Sequence, residues 1–328
     1  MSDRNGVLSR EQSRFSLKNV KDMLFTQTGF LLMFIIALAV MVAILNPNFK
    51  NYKNIINIFQ QVSVLGIISV GVGILLITGE FDISVGSQLS VIGVIMAMII
   101  QKTGNIPFAI FASIGLGIML GTITGLTVVK SKAASFIITL GFMVGYKGIA
   151  LIISHGYAFR LMGKFTYLGR GKIMGVLPVQ IVVFLGVTIL AAIVLRYTRY
   201  GRFLFAIGGN REASYVSGIK TERTIILTYA IVGLCNGIAA LVLISQLGSA
   251  YANTGDPFAL KSLAAVVVGG VAITGGKGNA SGIFLGVLTF GLISNALNVL
   301  NVNAYWREAI DGLIIISAVT ISKFSGEK

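Results

Sequence analysis

Two carboxylates inside a long apolar region are the first groups in this sequence that could do chemistry. Glu80 and Asp82 lie within residues 79–84, and nearly charge-free runs precede and follow them. An acid at membrane depth needs a partner, and the neighbouring glycines favour a broken helix, which membranes tolerate only beside protein or a cavity. One hypothesis places Asp82 and Ser84 beside a substrate pathway, where they orient the break or meet a polar substrate. The alternative is a short cytosolic turn with solvated acids.

Other polar residues interrupt later apolar runs. Lys147 lies more than one helical turn inside such a run, which favours pairing with a carboxylate over snorkelling to the interface. Asn295, Asn298 and Asn301 recur at three-residue steps and so share one face of a helix. Because unpaired amides in hydrocarbon cost several kcal/mol, this stripe must face protein or water. Asn295 and Asn298 are therefore candidate pathway residues, with interhelical hydrogen bonding as the alternative.

The residue types give no support to an enzyme. His155 is the only histidine and Cys235 is the only cysteine. The single cysteine excludes a disulfide within the chain and a cysteine-built metal site, and the single histidine argues against a zinc site and a histidine-based triad. We expect no catalytic residue, no metal site and no cofactor.

An ATP site of the phosphate-loop type is also excluded. The Gly-Lys pair at 276–277 is followed by glycine instead of serine or threonine, and Val271 stands where the motif requires glycine. An ion-coupled carrier stays open as an alternative, because Glu80, Asp82 and Lys147 could together form an ion site.

Residues 196–223 place six basic and two acidic side chains between nearly charge-free runs. This density does not suit lipid, where each charge costs roughly 2.5–3.5 kcal/mol on insertion scales. The pattern predicts a turn over 206–210, followed by a short helix within 211–218 that Gly218 closes. We interpret the segment as a docking surface in water that passes force or signal to a soluble partner.

Composition defines the class of protein. Of 328 residues, 55% are hydrophobic and 11% are charged, and the mean hydropathy is +0.89. Soluble domains carry about 25% charged residues, so these values indicate a polytopic membrane protein. The net charge of +15 comes from residues in short loops between apolar runs, where the positive-inside rule expects them, and no nucleic-acid partner is expected.

Charge-free runs predict about ten membrane spans. They lie near 23–45, 55–78, 83–101, 106–129, 134–154, 173–195, 224–247, 262–274, 281–300 and 310–321. The eighth and tenth are short, so each is either a half-helix or extends into its flanks. The predicted organisation is a cytosolic tail at 1–22, a transmembrane domain at 23–322 with a cytosolic loop at 196–223, and a cytosolic tail at 323–328.

One basic segment breaks the positive-inside rule. Arg160, Lys164, Arg170 and Lys172 fall on the outer side in this span order. Either the segment packs against an acidic partner outside, or one of the first five spans is miscounted.

Glycine and short repeats predict close packing of helices. Four-residue glycine spacings favour close approach of backbones in lipid, and they occur at 117, 121 and 125, at 141 and 145, and at 282 and 286. Segment 273–282 also resembles segment 77–86 in sequence, since both begin with Ile-Thr-Gly and end with glycine. The match is interpreted either as chance or as a pseudo-repeat of the kind that flanks substrate sites in transporters.

Several motifs together resemble the permease subunits of ABC importers for sugars, in the branch that includes ribose, xylose and galactose permeases. The resemblance covers nearly the whole chain. It rests on residues 46–49, 79–86, 201–219, 268–278 and 305–315, which occur in the order expected for that branch. Glu80 is a departure, because relatives usually carry a small or apolar residue there.

The resemblance implies a type II ABC importer permease fold, like that of the vitamin B12 permease, with ten helices and a cytosolic coupling helix between spans six and seven. Its implied partners are a cytosolic ATP-binding subunit, an extracytoplasmic substrate-binding protein, a second permease copy or paralogue, and lipid. The coupling helix is assigned by resemblance to Gly208, Gly209, Asn210, Glu212, Ala213, Ser217 and Gly218.

The implied function is translocation of a monosaccharide across the bacterial cytoplasmic membrane, with ATP hydrolysis on a separate subunit. A branched-chain amino-acid or nucleoside importer permease is the nearest alternative. An ion-coupled carrier and a membrane scaffold or receptor are the alternatives from other classes.

Overall fold

The computed structural model describes residues 27–326 and is almost entirely helical. The predicted tail at 1–22 and the start of the first predicted span lie outside the described residues, and so do residues 327–328. The helices are α1 (Gln27–Leu45), α2 (Tyr52–Ile77), α3 (Val85–Thr103), α4 (Ile106–Ser131), α5 (Ser135–Ser154), α6 (Tyr167–Arg170), α7 (Val179–Tyr197), α8 (Arg199–Gly209), α9 (Arg211–Val216), α10 (Thr221–Leu247), α11 (Phe258–Val268), α12 (Ala280–Val299) and α13 (Ala304–Gly326). A short 3-10 helix, Pro47–Lys50, precedes α2.

In the described part of the chain, eight helices are long and apolar enough to cross a membrane, namely α1 to α5, α7, α10 and α12. This confirms the prediction of a polytopic membrane protein. The predicted eighth span is a half-helix, because α11 has only 11 residues and ends where Gly270 adopts a φ of +89°, a conformation that glycine tolerates best. Helix α13 contains the predicted tenth span and extends beyond it on both sides, through most of the predicted tail at 323–328, but it is not one of these eight helices.

Helix α2 lies at the centre of the core and is buried over most of its length. From Val62 to Ile77 every residue is buried and nearly all are apolar, as expected for a helix that is surrounded by others. Glycines let three neighbours approach it: Gly66 lies against Phe184 of α7, Gly71 against Cys235 of α10, and Gly73 against Ile283 of α12.

The predicted close packing through glycine holds for two of the three groups. Gly117 and Gly121 of α4 lie against the backbone of Gly233 on α10, and Gly282 of α12 lies against the carbonyl of Gly269, just after α11. In contrast, a Cβ added at Gly141 or Gly145 of α5 meets no atom within 4 Å. The third group therefore has no packing partner within the described residues.

The basic segment between α5 and α7 packs on the far end of α10. Its strand β1 (Phe159–Arg160) pairs antiparallel with β4 (Ser249–Ala250), while β2 (Lys172–Ile173) pairs with β3 (Leu177–Pro178). These short pairs are a small departure from the all-α prediction. The Arg170 guanidinium donates to the Gln246 carbonyl oxygen at 3.0 and 2.9 Å. Since α10 is about 40 Å long, the segment lies at the opposite end from loop 196–223, as the predicted span order requires.

Loop 196–223 folds into the two short helices α8 and α9. The predicted turn over 206–210 is wrong, because residues 206–209 continue α8 and only Asn210 interrupts the helix. Thr198 caps α8 by accepting the Gly201 N–H at 3.1 Å, and Leu204 and Ile207 bury its apolar face, so the helix persists through its glycines. The predicted short helix closed by glycine is confirmed, since Gly218 follows α9 with a φ of +85°.

Candidate functional site

Residues 78–84 form a non-helical connection between α2 and α3, and side chains of other helices satisfy its backbone. The Phe81 N–H donates to Ser135 Oγ at 3.0 Å, and the Phe81 carbonyl accepts the Tyr229 hydroxyl at 2.7 Å. The Ile83 N–H donates to Thr139 Oγ1 at 3.4 Å. Because α5 and α10 supply these partners, the break is stable inside protein without bulk water.

Asp82 lies at the centre of a buried polar network. Its Oδ1 accepts from the Ser84 N–H at 2.8 Å and from the Ser84 hydroxyl at 2.5 Å, while Oδ2 accepts from the Gln88 amide at 3.1 Å. Asn236 of α10 extends the network by donating to Gln88 Oε1 at 3.1 Å. Asp82 is 4% exposed and Ser84 is fully buried. The alternative of a turn with solvated acids is therefore wrong for Asp82, and its contacts orient the first turn of α3.

Glu80 connects the same break to helix α9. Its carboxylate lies 3.0 Å from the guanidinium of Arg211, the first residue of α9. The Glu80 side chain is 12% exposed, whereas that of Arg211 is 49% exposed. Much of the pair's attraction is screened on the arginine side, so it ties α9 to the break without adding much stability.

Gly208 and Gly209 face opposite environments at the end of α8. Gly208 lies against the Ile77 carbonyl oxygen and the Gly276 amide nitrogen, which leaves no room for a Cβ. A Cβ at Gly209 meets no atom within 4 Å. Gly208 therefore holds α8 against the membrane helices, and Gly209 is open on the outward side.

The remaining predicted coupling residues lie on or next to α9, and they are exposed. Asn210 caps the helix by accepting the Ala213 N–H at 2.9 Å, and the Ser217 hydroxyl donates to the Ala213 carbonyl at 2.8 Å. Glu212 lies in the first turn, where an acid interacts well with the helix dipole. Tyr215 and Val216 on α9 are also exposed and were not predicted as coupling residues, although large apolar side chains within a charged loop are a usable signal.

Tyr200 ties α8 to the start of α10. Its hydroxyl lies 2.7 Å from Thr228 Oγ1. Burial raises the pKa of Tyr200 to about 12, although the hydrogen bond with Thr228 acts in the opposite direction. The hydroxyl therefore stays protonated near neutral pH and keeps its hydrogen bond.

The predicted pairing of Lys147 with a carboxylate is confirmed, and its partner is Asp256. The ammonium group lies 2.6 Å from the carboxylate of Asp256, in the loop before α11. Glu80, Asp82 and Lys147 thus each contact a different partner, and the described contacts do not assemble them into the ion site that a coupled carrier needs.

The structure does not bring Asn295 and Asn298 together with Asp82. Asn295 is buried, and it exchanges two amide hydrogen bonds of 2.9 and 3.0 Å with Asn54 near the start of α2. Asp82 follows the other end of α2, about 35 Å away along the helix. Asn298 is exposed, and Asn301 lies beyond the end of α12. Asn295 thus makes the interhelical hydrogen bonds that were the alternative.

The two similar segments, 77–86 and 273–282, lie in contact. The Gly276 N–H donates to the Ile77 carbonyl at 2.8 Å. Gly79 and Gly275, which follow the two Ile-Thr pairs, have φ values of +82° and +84°. Both segments precede a membrane helix, so they share sequence, local conformation and position.

Comparison with known proteins places the chain in a transport family. The family described as "Branched-chain amino acid transport system / permease component" matches residues 54–319. The ribose import permease protein of Escherichia coli K12 is 35% identical over 297 residues, covering 88% of this chain and 92% of the relative. That of Bacillus subtilis is 34% identical over 319 residues, covering 96% and 97%. The L-arabinose transport system permease protein of E. coli K12 is 32% identical over 314 residues, covering 95% and 94%.

No solved structure matches the chain significantly. The match to the family and the near full-length relatives are sufficient to assign the family, and the eight apolar helices agree with that assignment. The chain is a multi-pass membrane protein that belongs to the permease-component family of the branched-chain amino acid transport system.

Proposed function

We propose that this chain is the permease subunit of an ATP-driven importer that carries a monosaccharide across the bacterial cytoplasmic membrane. Relatives named for ribose and L-arabinose cover nearly the full chain, which supports a sugar substrate. The observation that carries the proposal is helix α9, which presents Tyr215 and Val216 with 71% and 85% exposure at the end of the molecule opposite the outer segment 155–178.

A cytosolic ATP-binding subunit is the partner that fits this surface. Exposed aromatic and aliphatic side chains are typical anchors of protein interfaces. Gly209 adds a smooth, open patch beside them, and the Glu80–Arg211 pair connects α9 to the break before α3. Closure of the ATPase pair would push α9 and alter the break, a rigid-body coupling between distant sites. ATP hydrolysis belongs to that partner and not to this chain.

The proposed architecture has ten crossings. The eight long helices are completed by α11 with the irregular segment after it and by α13, which are joined by an ion pair of 2.5 Å between Lys261 and Asp311. The coupling helices α8 and α9 then lie between the sixth and seventh crossings, on the cytosolic side. A substrate-binding protein would approach the opposite end, where segment 155–178 lies.

A second permease copy, identical or a paralogue, completes the proposed transporter. On α5, Gly141, Gly145 and Gly148 share a face, and a Cβ added at any of them meets no atom of the described residues within 4 Å. Small residues at this spacing allow another helix to approach closely in lipid. The same spacing on α4 is already used against α10, so α5 is the helix available to another copy.

Reconstitution of the complete importer tests the coupling assignment. Gly209→Asp and deletion of residues 210–217 should leave membrane insertion intact, while substrate-stimulated ATP hydrolysis collapses because α9 no longer fits its partner. Unchanged uptake in both variants would remove the assignment.

A branched-chain amino-acid importer is the second candidate, because the family description names that transport system. Competition of unlabelled ribose, galactose, arabinose and leucine against labelled uptake separates the two. Leucine competing alone would overturn the sugar assignment. Uptake that an ionophore abolishes but ATP depletion does not would instead favour an ion-coupled carrier.

A further inference from the structure

An ion pair lies deep within the apolar helices. Lys147 is twelve residues after the start of α5 and seven before its end, about 18 Å and about 10 Å along the axis. Its ammonium group lies 2.6 Å from the Asp256 carboxylate. A charge in this position needs a reason beyond packing, since insertion of lysine near the centre of a span costs roughly 2.5–3.5 kcal/mol.

Asp256 reaches this depth because its loop descends between helices. The Gly255 N–H donates to Ser90 Oγ at 2.9 Å, and Gly255 lies against Gly86 in the first turn of α3. Ser90 is about 20 Å along the axis from Thr103, the last residue of α3. The loop thus penetrates the apolar layer, and α11 starts from its base.

The pair is open on one side within this chain. The Lys147 and Asp256 side chains are 44% and 36% exposed. Charged side chains in membrane helices face protein or water, because facing lipid is far more costly. The Lys261–Asp311 pair between α11 and α13 differs, since its carboxylate is only 11% exposed. That pair joins two helices, whereas the Lys147–Asp256 pair presents hydrogen-bonding groups outward.

We propose that Lys147 and Asp256 line the water-filled pathway and hydrogen-bond the hydroxyl groups of a neutral sugar as it passes. The inference rests on the proposed function and specifies where the substrate touches the chain. An ammonium group donates up to three hydrogen bonds and a carboxylate only accepts them, so together they match hydroxyls, which do both. Because the two charges cancel, the site suits an uncharged polyol better than an ion. Tyr251 and Asn253 in the same loop are also exposed and add further polar groups.

Thiol accessibility tests this proposal directly. Cys235 is the only cysteine and is buried, so Cys235→Ala gives a cysteine-free background. In that background, Lys147→Cys and Asp256→Cys are reconstituted with the ATPase and binding protein and treated with a charged, membrane-impermeant methanethiosulfonate. We expect both to react. With transported sugar at about ten times its Kd, labelling should slow roughly tenfold, because few sites remain empty.

Matched controls distinguish side chains that face water from side chains that face lipid. Ile36→Cys, on the exposed face of α1 and 54% exposed, should stay unlabelled because it faces lipid. Asn253→Cys lies outside the ion pair and repeats the test if a variant at Lys147 or Asp256 fails to assemble. If the cysteines do not react, or if sugar leaves their rate unchanged, in a complex that imports sugar, this inference fails while the proposed function stands. A complex that imports leucine and no sugar overturns both.

Discussion

At the scale of single residues, two adjacent glycines should tolerate the same substitution very differently. Gly208→Ala forces a methyl group against the Ile77 carbonyl and the Gly276 amide, so we expect a loss of about 1–3 kcal/mol in unfolding free energy. Gly209→Ala meets open space and should unfold at the wild-type temperature. Thermal unfolding of the purified variants measures this, and equal melting temperatures would contradict the packing described for α8.

The hydrogen-bond acceptors of Asp82 provide a second prediction. Asp82→Ala removes the acceptor for the Ser84 amide, the Ser84 hydroxyl and the Gln88 amide. Each buried donor left unsatisfied costs about 1–3 kcal/mol, so we expect marked destabilisation. Asp82→Asn keeps one carbonyl oxygen and should be affected less. A thermal denaturation series that ranks asparagine below alanine would contradict this role.

Single residues also show where sequence reasoning stops. The cost of a charge in lipid predicted that Lys147 pairs with a carboxylate, but not that the carboxylate is Asp256, because that contact joins residues 109 positions apart. Gln88 and Asn236 were not anticipated, since one amide in an apolar run does not reveal which helix it meets. The spacing of Asn295, Asn298 and Asn301 suggested one stripe, but the helix ends at Val299 and separates them.

At the scale of elements, the Glu80–Arg211 pair should matter for coupling more than for stability. Because Arg211 is half exposed, Arg211→Gln should cost less than about 1 kcal/mol of stability. Substrate-stimulated ATP hydrolysis should fall several-fold, because α9 loses its contact with the break before α3. The exchange Glu80→Arg with Arg211→Glu should restore part of it. Arg202→Gln is the control, since Arg202 is exposed and forms no ion pair among the described residues.

The exposed apolar side chains of α9 give a further prediction at this scale. Val216→Asp places a charge where the ATPase subunit should bury an aliphatic group, so the subunit should no longer copurify with the permease. Tyr157→Ala changes a residue of similar exposure, 78%, in the outer segment and should leave copurification unchanged. Loss of the ATPase in both variants, or in neither, would contradict the docking surface.

The helices were largely predictable from hydropathy, but their ends and interruptions were not. Runs of 18 or more apolar residues have few alternatives in a membrane, which is why most spans were placed within a few residues. Residues 206–209 were misassigned because glycine usually signals a turn, whereas here Gly208 is required for contact with Ile77 within a helix. Helix α11 ends before the predicted end of its span, at Gly269 and Gly270. Gly269 lies against Gly282 of α12, a contact that the sequence does not reveal.

At the scale of the whole molecule, substitutions at different glycines should affect either the folding of the permease or its association with a second copy. Gly121→Leu should push α4 away from Gly233 on α10 and destabilise the permease. A Cβ added at Gly141 meets no described atom within 4 Å, so Gly141→Leu should leave the melting temperature unchanged while weakening association with the second copy. Crosslinking in membranes measures the second effect. If Gly141→Leu leaves the crosslinked dimer intact, α5 does not form the proposed contact.

The sidedness of the whole molecule stays a prediction from its charge distribution. The exception at 155–172 needed the structure, since only its contacts with Gln246 and with strand β4 place it at the far end of α10. Which helices neighbour one another could not be predicted. The choice of neighbours depends on contacts between particular residues, such as Gly66 and Phe184, and apolar composition alone does not predict these contacts.

The contact of the two Ile-Thr-Gly segments beneath Gly208 has a mechanical consequence. A tilt of α8 would press at once on the end of α2, just before the connection to α3, and on the segment before α12, because Ile77 and Gly276 both touch Gly208. Under the proposed coupling, the starts of α3 and α12 should therefore move together, and spin labels near the start of each helix should report displacements that rise and fall together.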